Sequence, residues 1–225
     1  MMADHRWEKQ YPAGVRWSFD IETKPLQSML DDAARDAPDA IMCDFLDRTF
    51  TFADFAELSD RAAAGFQALG VGKGVHVGMF LPNVPQYIVA LFGVLKAGGT
   101  VVNYSPLLAE QELIQQIKDS ETRIMVTMNA TALYPKLARA MEEASLDKVI
   151  IGNFAEVLPF PKSLLYPLFK RKDISPFPHD ARHMTYQDLL ANDGTYDAPT
   201  LGDLRDEVAM LQYTGGTTGT PKGAM

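Results

Sequence analysis

Cysteine is almost missing from this 225-residue chain: Cys43 stands alone, which excludes an internal disulfide and leaves no partner for a zinc knuckle or a redox pair. A reducing compartment fits that usage, with Cys43 as a small core residue. Long apolar runs are missing too. The longest, residues 87–95, falls well short of the ~20 residues that a membrane-spanning helix needs. The opening residues include Asp4, His5, Arg6 and Glu8 and lack the apolar region of a secretion signal, so a cytoplasmic location is expected. Basic charge is in deficit, 21 Lys and Arg against 29 Asp and Glu for a net −8. That argues against broad attachment to nucleic acid, which requires a clustered basic face. Any bound polyanion must be held locally. What is present, 47% hydrophobic and 22% charged residues, is the balance of a core-forming globular chain.

Apolar spacing organises the first two thirds. Leu26, Met29, Leu30, Ala33, Ala34 and Ala37 repeat at helical intervals between Pro25 and Pro38, which predicts an amphipathic surface helix. Residues 41–46 and 49–52 flank Asp47-Arg48 as a short hairpin, and Thr51-Phe52-Ala53-Asp54 forms a capping-box variant at the head of a helix reaching Leu69, with Gly70 beyond its end. Strand and helix segments then alternate: 75–81, 86–97, 100–104, 109–120, 123–128, 132–144 and 148–152. This pattern predicts βαβ units, hence a doubly wound α/β core with a mainly parallel sheet flanked by helices. After Asn153, prolines at 159, 161, 167, 176 and 178 predict an irregular surface excursion to about His179. Residues 185–190 read as a short helix, 192–203 as a loop and 208–213 as a strand. The expected division is a lead-in over 1–25, the α/β core over 26–153, the excursion over 154–184, and a strand with its terminal loop over 185–225.

That strand runs into Tyr213-Thr214-Gly215-Gly216-Thr217-Thr218-Gly219-Thr220-Pro221-Lys222-Gly223-Ala224-Met225. Glycines allow main-chain N–H groups to approach an anion closely, threonine hydroxyls add donors, and a lysine brings a positive charge. The combination suits a polyphosphate. It is not a Walker A loop, whose lysine follows glycine and precedes Ser or Thr, whereas Lys222 lies between Pro221 and Gly223. The run of an aromatic followed by Thr-Gly-Gly-Thr-Thr-Gly-x-Pro-Lys-Gly resembles the phosphate loop of the acyl-adenylate-forming, AMP-binding enzymes: acyl-CoA synthetases, luciferases and peptide-synthetase adenylation domains.

Looser likeness extends upstream, through the segments from Gly70 to Asn83, from Lys96 to Leu107 and from Glu112 to Ser120. Those segments, with Leu211-Gln212-Tyr213, are similar to the long-chain fatty-acid–CoA ligase branch. The resemblance implies the N-terminal part of the large domain of an ATP-dependent ligase that joins a fatty acid to AMP and then to coenzyme A. It further implies that Tyr213 to Ala224 bind ATP: Thr214, Thr217 and Thr218 donate to phosphate oxygens, Gly215, Gly216 and Gly219 give backbone approach, Pro221 stiffens the turn, and Lys222 neutralises charge. The family's magnesium ligand, acyl tunnel and adenylation lysine match no position up to Met225, so no catalytic residue and no Mg²⁺ ligand is expected in these residues, and the chain alone is expected to be inactive. A short-chain, aryl or peptide-synthetase ligase is the alternative, as is a phosphate-binding module or scaffold without catalysis.

Other candidates carry structural readings. Gly70-Val71-Gly72-Lys73-Gly74 follows a helix and precedes a strand, the reverse of a helix N-terminal anion site, and reads as a helix cap and turn. The histidines His5, His76, His179 and His183 are too dispersed for a metal site. Asp31-Asp32 and Glu142-Glu143 are helix neighbours expected to meet water. From Phe160 to Lys172 the chain sets Phe160, Leu164, Leu165, Tyr166, Leu168 and Phe169 beside Lys162, Lys170, Arg171 and Lys172. Two readings stand: peripheral contact with an anionic membrane at its inner face, or a folded-back loop covering core, preferred because Pro167 opposes a helix.

Overall fold

Local chemistry at the amino-terminal side sets the first elements. The computed structural model describes residues 6–15, 22–214 and 221–225. Helix α1 (Ser28–Asp36) stops ahead of Pro38. Strands β1 (Ile41–Phe45) and β2 (Arg48–Thr51) pair antiparallel, with Cys43 opposite Phe50. Their turn holds Leu46 and Asp47 at φ 53° and 74°, the paired left-handed geometry that matches hairpin twist. Helix α2 (Phe52–Ala68) opens with the expected box: the Asp54 N–H donates to Thr51 Oγ1 at 3.1 Å and the Thr51 N–H to Asp54 Oδ2 at 2.8 Å. Past its end Gly70 adopts φ +82°, a conformation open mainly to glycine.

The alternating segments become β3 (His76–Phe80), α3 (Pro85–Lys96), β4 (Thr100–Asn103), α4 (Glu110–Asp119), β5 (Ile124–Met128), α5 (Tyr134–Ala144) and β6 (Lys148–Gly152). Beyond them lie α6 (Lys162–Phe169), β7 (His183–Thr185), α7 (Tyr186–Leu190), β8 (Met210–Thr214) and β9 (Lys222–Ala224). Among the described residues the main sheet has seven strands in the order β7-β6-β5-β3-β4-β8-β9, parallel except for β9. All five residues of β5 are buried. A strand buried on both faces needs helices on both sides. Moving from β3 to β4 on one side and then to β5 on the other, with right-handed crossovers, places α3 and α4 on opposite faces. Accordingly α2 packs with α1, α3 and α7, and α4 with α5.

Three expectations are corrected. The stretch from Asn153 to His179 is not irregular: it contains 3-10 turns at Phe154–Val157 and Arg171–Asp173 and helix α6. Helix α6 runs through Pro167, and its start is closed by the N–H groups of Ser163 and Leu164, which donate to the carbonyls of Pro159 and Pro161. The ring itself stays exposed. Nor does the segment cover core, since no residue of α6 is buried. Finally, Asp31 and Asp32 do more than face water: Asp31 pairs with the ammonium of Lys96, and Asp32 with Arg35 and Lys24.

Candidate functional site

Strand β8 runs parallel to β4, with Val101 opposite Met210, Val102 opposite Leu211 and Asn103 opposite Gln212. The glycine- and threonine-rich loop therefore leaves from the carboxyl ends of the parallel strands, the edge at which open α/β sheets receive ligands. Six predicted contact residues, Gly215, Gly216, Thr217, Thr218, Gly219 and Thr220, lie outside the described residues. Those on either side form the base. Tyr213 pairs with Gly223 and Thr214 with Lys222, so Lys222 begins an antiparallel strand, β9, inside the span expected to be loop. Directly opposed residues project from the same face of a ladder. Thr214 and Lys222 are both exposed, and the Thr214 hydroxyl donates to the Lys222 carbonyl at 3.4 Å, so the base sets a hydroxyl against the backbone of the residue that carries the ammonium. Opposite them, a side chain at Gly223 would meet the Tyr213 ring at 3.5 Å.

Tyr213 fastens this base to the core. Its hydroxyl donates to Asp119 Oδ2 at 2.6 Å, and its ring stacks on Tyr104 with centroids 6.5 Å apart. The hydroxyl of Tyr104 is held at 2.6 Å from both Ser120 Oγ and Thr122 Oγ1. Burial pushes the Tyr104 phenol up to about 12. Burial, followed by the Asp119 carboxylate, raises the Tyr213 phenol as well. Both remain neutral at physiological pH and act as hydrogen-bonding struts. Beside them the Asn103 amide donates to Gln212 Oε1 at 2.9 Å and accepts from the Tyr87 hydroxyl at 2.8 Å. Asn103, Tyr104 and Asp119 entered the sequence reading only as family landmarks. The available signal was a polar pair, Asn103-Tyr104, at the carboxyl end of an apolar strand.

The remaining candidates resolve structurally. Lys73 pairs with Glu207 at 2.7 Å, and Gly74 has φ +82°, consistent with a cap and turn. His183 bridges Asp180 at 2.7 Å and the Tyr134 hydroxyl at 2.9 Å. Among the described residues no group of three or more His, Cys, Asp or Glu is gathered to hold a metal ion. A cavity of about 370 Å³, lined in part by Asn129, Gly152, Asn153 and Thr185, opens at the ends of β5 and β6. Strands β3 and β4 lie between β5 and the loop-bearing β8.

The sequence model of the AMP-binding enzymes matches residues 30–225. The chain belongs to the AMP-binding enzyme family. Among curated AMP-binding relatives, the long-chain-fatty-acid–CoA ligase of Bacillus subtilis is 35% identical over 228 residues, covering 100% of this chain and 40% of the ligase. The ligase of the same description from Escherichia coli O157:H7 is 34% identical over 229 residues, covering 97% and 39%. This AMP-binding chain thus spans about 40% of the length of the curated relatives it matches. Among solved structures, apo MbtA of Mycobacterium smegmatis superposes with a TM-score of 0.64 at 27% identity, covering 90% of this chain and 33% of that one. A luciferase-like enzyme from the mealworm Zophobas morio gives 0.66 at 19% identity, covering 88% and 41%, a likeness of fold. No helix of the described residues is long and apolar enough to cross a membrane.

Proposed function

We propose that the chain supplies the ATP-phosphate grip of a long-chain fatty-acid–CoA ligase. In the reaction, a fatty-acid carboxylate attacks the α-phosphate of ATP to form an acyl-adenylate and release pyrophosphate; the thiol of coenzyme A then displaces AMP to give the thioester. The first step needs alignment and charge stabilisation more than proton transfer. Thr214 and Lys222, paired across β8 and β9, are assigned to the phosphate oxygens together with Gly215, Gly216, Thr217, Thr218, Gly219 and Thr220. Tyr213, Pro221, Gly223 and Ala224 shape that mouth. Magnesium enters with the nucleotide. The acyl pocket and the remaining catalytic groups belong, in this reading, to the portion of the curated relatives that the chain does not span, so the chain alone binds nucleotide without turnover.

The observation that carries the proposal is the emergence of the hydroxyl- and glycine-rich segment from β8 at the carboxyl edge of the sheet, with its threshold closed by the Thr214–Lys222 pair. Calorimetric titration of the chain with Mg-ATP tests it. Saturable binding is expected, weakened about tenfold by Lys222→Ala, the loss of one charge-assisted contact. Equal affinity of the wild type and a Thr214→Ala/Lys222→Ala variant would refute the assignment. Labelled pyrophosphate exchange in the presence of palmitate reads the chemistry separately, and the chain alone is expected to give none.

A further inference from the structure

Helix α6 is turned inside out relative to an ordinary surface helix. Its inward side is narrow: Tyr166 packs on Phe154 at 5.2 Å, and Phe154 on Phe45 at 5.7 Å. Phe160, just ahead of the helix, with Leu164, Leu165, Leu168 and Phe169 recurs at intervals of four and five, so one stripe runs along the opposite side. Those residues are 79%, 65%, 42%, 74% and 80% exposed. The tip of the β1–β2 hairpin extends the stripe, because Lys162 Nζ donates to the Leu46 carbonyl at 3.4 Å and Leu46 is itself exposed. A water-facing helix would bear polar residues there.

Charge identifies the occupant. Lys162, Lys170, Arg171 and Lys172 adjoin the stripe in a protein whose net charge is −8. Asp47 engages Lys162 and Asp173 engages Lys170, so the patch keeps an excess of two positive charges, four minus two. Bulky apolar and aromatic residues on one face with cations at the margin form the pattern of a helix lying in the plane of an anionic bilayer surface. We propose that the outward face of α6, continued by Leu46, docks on anionic lipid, with Phe160, Leu164, Leu168 and Phe169 in the headgroup–acyl boundary and Arg171 and Lys172 on lipid phosphates.

Flotation with vesicles of phosphatidylcholine alone, or containing 30% phosphatidylglycerol, tests the proposal without nucleotide or fatty acid, so its failure leaves the ATP assignment standing. The chain is expected to float with the anionic vesicles and to remain behind with the neutral ones. Leu168→Asp/Phe169→Asp abolishes flotation, whereas Arg171→Glu/Lys172→Glu weakens it at least tenfold and removes its salt sensitivity. All four positions are exposed, and unchanged thermal unfolding of the variants verifies their fold. Absence of flotation, equal flotation with both vesicle types, or unaltered flotation of the Leu168→Asp/Phe169→Asp variant each overturns the proposal. So does a dimer, seen by sedimentation, that excludes vesicles and dissociates in that variant, since a second copy would then cover the stripe.

Discussion

The side chain of Lys96 is 2% exposed, and its ammonium lies 2.6 Å from the carboxylates of both Asp31 and Asp60. Burial pulls its pKa down, but the hydrogen bonds of Asp31 and Asp60 more than reverse that, and the net displacement is upward. One cation thereby ties together α1, α2 and α3. Lys96→Met removes it and leaves two carboxylates facing each other. Removing one partner of a fully buried pair costs 3–5 kcal/mol. Because the Asp31 and Asp60 side chains remain 46% and 39% exposed, solvent takes up part of the loss, and a destabilisation of about 2 kcal/mol is expected in urea unfolding. Adding Asp31→Asn to Lys96→Met should restore part of it. This cluster could not be read from the sequence: Lys96 precedes Ala97-Gly98-Gly99, where Gly98 takes φ +87°, and a lysine at a glycine-marked helix end gives no sign of a partner 36 positions upstream.

Elements were legible where an apolar period ran for several residues between strong stops. Strand β6 occupies the expected residues, α2 begins at its capping box, and the β1–β2 hairpin falls around Asp47. Strands β7 and β9, of three residues each, are too short to establish an alternation. They form because a neighbouring strand offers a free edge, which is a property of the assembled sheet. Helix α6 was hidden by Pro167. At the candidate site, the loop motif was plain in sequence, while the strut formed by Tyr104, Tyr213 and Asp119 depends on β4 and β8 lying together although more than a hundred residues separate them. The contact of α2 with α3 is similarly tertiary. A side chain at Gly93 would approach Ala62 Cβ to 2.5 Å, with backbone atoms of Ala62 and Ala63 at 3.3 Å. Gly93→Val therefore has to separate two packed helices, and a loss of about 1–3 kcal/mol is expected in denaturant unfolding.

At the scale of the molecule, the two-stranded hairpin, the helical layer and the chain after β6 meet around Glu156. Arg48 Nη1 donates to the Glu156 carbonyl at 2.6 Å, Gln86 Nε2 to the Asn153 carbonyl at 3.2 Å, and the Tyr186 hydroxyl to the Gln86 carbonyl at 2.9 Å. Burial raises the Glu156 carboxyl above its ordinary 4.5, against the opposing hydrogen bonds of Asn153 and Gln86. Between 4.5 and the raised value the folded state holds more protons than the unfolded one, so Glu156 makes stability fall as pH rises through that window. Glu156→Gln, which retains an acceptor for the Asn153 N–H, should be more stable than the wild type at pH 7. The advantage should shrink on acidification and vanish below pH 4.5, as measured by urea unfolding across pH.

The rung joining Thr214 to Lys222 acts as a gauge. Opposed residues of an antiparallel ladder keep their Cα atoms about 5 Å apart, so the intervening stretch departs and returns through a gap set by sheet geometry. Lengthening or shortening residues 215–220 would then change how much chain joins the two strands without altering the separation of its ends.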